Sequence, residues 1–188
     1  MNPLSFSWIF GIIFTVFVVY FIIKFFTPPN QKGIKNEQAA AKNYPTIDVT
    51  LDDVRMAIRK FSERLPKGVY RTILVEDDHS IDFHQLAPIL GGIPTKKFYM
   101  SKETYDLFEE DERHIPPAMD MVQKAVDLYV EERKEFPMLS YDPQRRVNYY
   151  QLLQEKYLKA APEIQFYITE LDGLITHNRP EKKGTSQS

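Results

Sequence analysis

The chain has 188 residues, with 24 Lys and Arg against 26 Asp and Glu for a formal net charge of −2, and no Cys. Without Cys there is no disulfide framework, no thiolate nucleophile and no Cys-based zinc or iron–sulfur site. The near-balance of charge removes the bulk electrostatic basis for nucleic-acid binding, so no nucleic-acid partner is expected.

Residues 1–23 carry no charged side chain and are rich in Phe, Ile and Val; the first charge is Lys24. A helix rises about 1.5 Å per residue, so about twenty such residues span a hydrocarbon core of roughly 30 Å. A transmembrane anchor over residues 1–26 is therefore expected, with the lipid bilayer as its partner through residues 4–26. A cleaved signal peptide needs a basic segment before the apolar stretch and small residues close behind it. Here no Lys or Arg precedes Trp8, and the flank reads Lys24-Phe25-Phe26-Thr27-Pro28-Pro29. Lys24, Lys32, Lys35 and Lys42 all follow the span, a bias that favours a cytoplasmic carboxyl-terminal domain and a single-pass cell-membrane protein.

Residues 27–45 mix Pro, Gly, Asn, Gln, Lys and Ala without apolar periodicity, the composition of a flexible linker. Residues 178–188 are polar and charged and read as a disordered tail. Between them, residues 46–177 are long enough for one core.

That middle contains an internal duplication. Val54, Ala57, Ile58, Phe61 and Glu63 match Val122, Ala125, Val126, Tyr129 and Glu131 at a separation of 68. Ile81, Asp82, Phe83, Gln85 and Leu86 match Val147, Asn148, Tyr149, Gln151 and Leu152 at 66, and Pro94, Phe98, Tyr99, Met100 and Ser101 match Pro162, Phe166, Tyr167, Ile168 and Thr169 at 68. Three blocks in order and register predict two repeats, at about 50–108 and 118–177.

Helical spacing of Val54, Ile58, Phe61 and Leu65, and of Val122, Val126, Tyr129 and Val130, predicts an amphipathic helix in each repeat. Thr50 with Asp53 forms a capping-box pattern for the first, and Pro116 and Pro117 mark the entry to the second. Tyr70 to Val75 is expected to be extended. A second helix is expected near Asp82, stopped by Gly91 and Gly92, and its counterpart near Pro143. Ile164 to Thr169, the turn Asp172-Gly173 and Leu174 to Thr176 predict a β-hairpin, with Lys97 to Ser101 and Tyr105 to Phe108 as its equivalent. The fold class expected is α+β: an amino-terminal transmembrane helix plus two degenerate helix-helix-hairpin repeats whose hairpins share one antiparallel sheet.

The densest group of potential metal ligands is Glu76-Asp77-Asp78-His79-Ser80-Ile81-Asp82-Phe83-His84, with Asp77, His79 and His84 as the candidates. Turn chemistry and helix-dipole preferences explain the same residues, and the spacing fits no established ligand motif, so no metal is assigned. Gly91-Gly92-Ile93-Pro94 follows a helix and leads into a strand, the reverse of a phosphate-cradling loop. Ser80 beside His79 or His84 is adjacency without an activating geometry. No cofactor and no catalytic residue is assigned, and an enzyme is not expected. Arg145, Arg146, Lys156 and Lys159 read first as a solvated face, with anionic lipid headgroups as the alternative. The domain is rich in Tyr, and Tyr99, Tyr141, Tyr150 and Tyr157 are the candidate surface for an unidentified protein partner, because aromatics with a polar tip are favoured at interfaces.

The strings GGIPTKKFYMSKETYD, NYYQLLQEKYL and FYITELDGLITH resemble an uncharacterised, membrane-anchored family of Bacillus-type bacteria, a domain of unknown function, over roughly Val49 to His177. The resemblance implies one domain in a Gram-positive cell and assigns no activity, ligand or partner. The function expected is a membrane-tethered, noncatalytic binding or scaffolding domain. Alternatives are an extracytoplasmic cell-envelope module and a metal-dependent enzyme using residues 76–84.

Overall fold

The computed structural model describes residues 43–170 and 173–180; the expected anchor, residues 27–42 of the linker and residues 181–188 lie outside the described residues. Among the described residues, no helix is long and apolar enough to cross a membrane. What they form is a mixture of helices and very short strands, which bears out the α+β class.

The chain enters through β1, Thr46–Ile47, and turns into α1, Leu51–Ser62. Thr50 caps α1 as its sequence predicts: its Oγ1 accepts from Asp53 N at 3.2 Å, while Asp53 Oδ2 accepts from Thr50 N at 2.9 Å. Val54, Ala57 and Ile58 supply the buried face at helical spacing.

Two expectations in the first half are corrected. Tyr70 to Val75 is not extended: Arg71–Leu74 is a 3-10 turn, and only Val75 pairs in β fashion, with Ile81. Local bonds from Ile73 N to Tyr70 O and from Val75 N to Thr72 O satisfy a backbone that has no strand beside it, while Leu74 is driven into the core. Nor does a helix start at Asp82. Its backbone N–H donates to Leu74 O at 2.8 Å and its carboxylate takes the N–H of His84, which holds the chain in a turn until α2, Ala87–Leu90. Gly91, at φ +81°, ends that single turn as expected.

β2, Ile93–Pro94, runs parallel to β1. Between α2 and β2 lies Gly92, where a Cβ would stand 2.5 Å from Pro45 O and 2.7 Å from Ile47 Cγ2; only glycine permits so close an approach. β3, Tyr99–Met100, and β4, Leu107–Phe108, form the first antiparallel hairpin. A short 3-10 turn, Glu110–Glu112, leads to α3, Ile115–Arg133, with Pro116 in its first turn and Lys134 ending it at φ +59°.

In the second half, Pro143 also sits in a turn and not at a helix start. Asp142 takes the backbone N–H groups of Gln144 and Arg146, and α4, Tyr149–Gln154, begins later, capped by Asn148. β5, Tyr167–Ile168, and β6, Ile175–Thr176, form the second hairpin. The hairpins do not merge into one sheet; the described strands make three separate two-stranded pairs. The turn that precedes each hairpin instead pairs with the free side of its first strand, through bridges Ser80 to Tyr99 and Arg146 to Tyr167.

The backbone bonding of the two halves recurs. Ile81 N to Phe98 O and Val147 N to Phe166 O are both 2.9 Å; Met100 N to His79 O is 2.9 Å and Ile168 N to Arg145 O is 2.8 Å. Ser101 N to Asp106 O and Thr169 N to Leu174 O close the hairpins. His79 and Arg145, 66 positions apart, both adopt left-handed backbone, at φ 67° and 56°. Hydrophobic packing divides similarly, into one cluster around Val54, Ile58, Leu74, Leu86, Phe98 and Met100 and another along α3. β3 serves both, since Phe98 and Met100 point to the first cluster and Tyr99 between them to the second.

Candidate functional site

The main polar concentration in the interior is Asp120, on the buried side of α3 and 6 % exposed. Its Oδ1 accepts from Ser101 Oγ at 2.5 Å, Lys102 N at 3.0 Å and Glu103 N at 3.2 Å. Its Oδ2 lies 2.9 Å from His79 Nε2 and also takes Lys102 N at 3.0 Å. Thr104 completes the cluster by donating both its N–H and its hydroxyl to Ser101 Oγ. One carboxylate thus holds the turn of the first hairpin and the acidic turn at 76–80 against a helix of the second half. Three residues along α3, Gln123 does the matching task for the second hairpin: its Oε1 accepts from Ile175 N at 2.8 Å, and its amide donates to Asp127.

Ser, His and Asp meet here in an order that does not activate a nucleophile. In a hydrolytic triad the imidazole lies between hydroxyl and carboxylate; here the carboxylate lies between, and Ser101 spends its proton on it. Both oxygens of Asp120 are saturated by donors from the chain itself, the pattern of a structural carboxylate.

A second group surrounds the end of the first hairpin. Burial pushes the Asp106 carboxyl above its ordinary range, against the opposing pull of His177 and Arg55. The His177 ring packs on Phe108 with centroids 5.1 Å apart, and its Nδ1 is buried without a hydrogen-bond partner. In the second half, Tyr149 ties α4 to β5, since its hydroxyl donates to Ile164 O at 2.7 Å and accepts from Phe166 N at 2.9 Å. Burial raises that phenol to about 12. Arg145 donates from Nε to Ile168 O at 2.9 Å and from Nη2 to Thr169 O at 3.1 Å, with its guanidinium 5.9 Å from the Phe136 ring centre.

The structure separates the residues singled out in the sequence. Asp77 and His84 are exposed, whereas the His79 ring faces Asp120, and among the described residues no three His, Cys, Asp or Glu side chains gather to hold a metal. Of the four surface tyrosines, Tyr141 and Tyr150 are 97 % and 71 % exposed. Tyr99 is buried at 5 % in the cluster along α3, because strand alternation turns it inward. Tyr157 is half-buried, edge-on to Tyr129 with its hydroxyl on Glu132. The sequence reading missed Asp120 altogether. Its one signal was a carboxylate between Met119 and Met121, on the helix face that continues to Val122 and Gln123.

The fold and these contacts define an α+β domain in two halves whose central carboxylate is structural. The family model described as "Protein of unknown function (DUF3939)" matches residues 44–177, and the chain belongs to that family. The match bears out the resemblance to a domain of unknown function. No curated protein and no solved structure matches the chain.

Proposed function

We propose that this chain is a single-pass, membrane-tethered domain that binds or scaffolds without catalysis on the cytoplasmic side, and that its two halves are degenerate copies of one helix-helix-hairpin unit. The observation that carries the tethering is the uncharged run of residues 1–23, followed by Lys24, Lys32, Lys35 and Lys42. The folded domain begins at Tyr44, about twenty residues further on; even fully extended, a chain of that length reaches at most about 70 Å. Any partner is therefore met near the bilayer.

The noncatalytic reading is supported by Asp120, whose oxygens are consumed by Ser101, Lys102, Glu103 and His79. Binding is supported by large side chains left in solvent on the second half: Leu139 at 61 %, with Tyr141 and Tyr150. The duplication is supported by the recurrence of backbone bonds at separations of 66 and 68 and by the paired left-handed residues His79 and Arg145.

Carboxyl-terminal fusions to alkaline phosphatase and to a fluorescent protein test the topology. Fluorescence without phosphatase activity is the expected result, and the opposite pattern places the domain outside the cytoplasm. Retention of the full chain in membranes washed at alkaline pH tests the tether itself.

A further inference from the structure

We infer that the loop at residues 137–150 is a second membrane contact, seated in the headgroup region of an anionic bilayer. The inference rests on the tethered reading and names the partner of that exposed surface. The loop is built to present side chains. Its neck is closed by Asn148 N donating to Pro137 O at 2.7 Å, and inside it Asp142 N bonds Leu139 O and Arg145 N bonds Asp142 O. The Arg145 guanidinium clamps it to β5 through Ile168 O and Thr169 O. On this frame stand Leu139, Tyr141 and, just past the neck on α4, Tyr150, all mostly in solvent.

The corresponding loop of the first half, closed by Asp82 N on Leu74 O, exposes Glu76, Asp77 and Asp78 and buries its apolar Val75 and Ile81. An exposed aliphatic and two exposed tyrosines are therefore not a requirement of the loop's architecture.

Charge selects the occupant. Lys134, Lys156 and Lys159 are exposed beside the loop, and the 2.6 Å pair of Arg133 with Glu155 brings the end of α3 beside the end of α4. Most carboxylates of this stretch are already engaged: Asp142 by Arg146 at 2.8 Å, Glu155 by Arg133, and Glu135 by the Tyr129 hydroxyl. Among the described residues of this stretch Glu131 and Glu163 are exposed without such a contact. Tyrosine rings with a polar tip settle at headgroup depth, a leucine enters the acyl boundary, and lysine and arginine attract the anionic lipid of a cytoplasmic leaflet. A tether already holding the domain nearby makes weak contacts sufficient, because the second contact forms at high effective concentration.

The test uses the full chain in vesicles, with Trp8→Phe to remove its single tryptophan and Tyr141→Trp as the reporter. The probe is quenching by lipids brominated on their acyl chains. In vesicles containing phosphatidylglycerol, emission from position 141 should shift to the blue and lose most of its intensity; with phosphatidylcholine alone, or in high salt, most of that loss should disappear. A reporter at the exposed first-half position, Met56→Trp, should stay unquenched. No quenching at position 141 overturns the inference, as does equal quenching at both positions, which would reflect proximity alone. Alkaline extraction of the same vesicles separates the two proposals. A chain that washes off removes the tether, whereas a retained chain with an unquenched reporter removes only the loop contact.

Discussion

The loops at 74–82 and 137–148 share a frame and differ in what they do with it. Both are closed by a backbone N–H reaching back across the loop, and both place one left-handed residue where the next strand is met. In the first, that residue is His79, and its ring crosses to Asp120 of α3. In the second it is Arg145, whose guanidinium returns to the carbonyls of its own hairpin. The first loop thereby joins the halves. The second is stabilised from within and leaves its outer face, Leu139 and Tyr141, to solvent. Recurrent backbone bonds fix where a loop runs, and the side chain at one strained position decides whether it serves as a joint or as a surface.

The largest break in this comparison is expected at the joint. Asp120→Ala leaves the Ser101 hydroxyl, two backbone N–H groups and His79 without their acceptor, a loss of about 3–5 kcal/mol measurable by urea denaturation. Asp120→Asn should lose less, since the amide oxygen still accepts. Arg145→Ala removes two bonds to carbonyls within one half and should cost about 2 kcal/mol in the same assay. If it costs as much as Asp120→Ala, the contrast between an internal clamp and a joint fails.

Two aspartates sharpen the comparison through pH. Burial raises the Asp106 carboxyl above 3.8, so the folded chain holds that proton more tightly than the unfolded chain. Its contribution to stability is complete below the unfolded value and is lost as pH rises through the folded one. Asp106→Asn should therefore gain stability near neutral pH, by less than about 1 kcal/mol after solvent screening, and the gain should close in acid. Asp142 runs the other way. The Arg146 guanidinium holds its carboxyl below the usual range, so its contribution is present above the unfolded value and disappears as pH falls through the folded one. Asp142→Asn should accordingly lose stability at neutral pH and converge with the parent in strong acid, as followed by circular dichroism across a pH series.

The smallest effect is expected on the outer face. Tyr141→Ser should change stability by less than about 0.5 kcal/mol, because the side chain is 97 % exposed. A larger loss in denaturation would mean that the second loop relies on its surface aromatic.

Local chemistry was legible in the sequence wherever it acts over a few residues. Thr50 and Asp53 announced the start of α1, Pro116 that of α3, and the block separated by 68 located the first hairpin from the second. Local chemistry also misled: Asp82 and Pro143 look like helix starts, but Asp82 and Asp142 spend their side chains on turns. The expectation of a single sheet failed because strand pairing beyond a hairpin is set by tertiary packing: here the first strand of each hairpin takes its own preceding turn as neighbour, at Ser80 and Arg146. Nor was Asp120 linked to His79, since a pair 41 positions apart leaves no trace in periodicity.

The approach of Gly92 to β1 has a mechanical consequence. Because Ile93 N bonds Pro45 O and Thr95 N bonds Ile47 O, both at 2.9 Å, the first residues of the domain are fastened to a strand some fifty positions along the chain. A pull on Asn43 meets that parallel seam before it reaches the first helix. Load is then shared with the centre of the first half instead of unwinding it from the end, and Gly92→Ala, by wedging the seam open, should lower the force at which the domain yields.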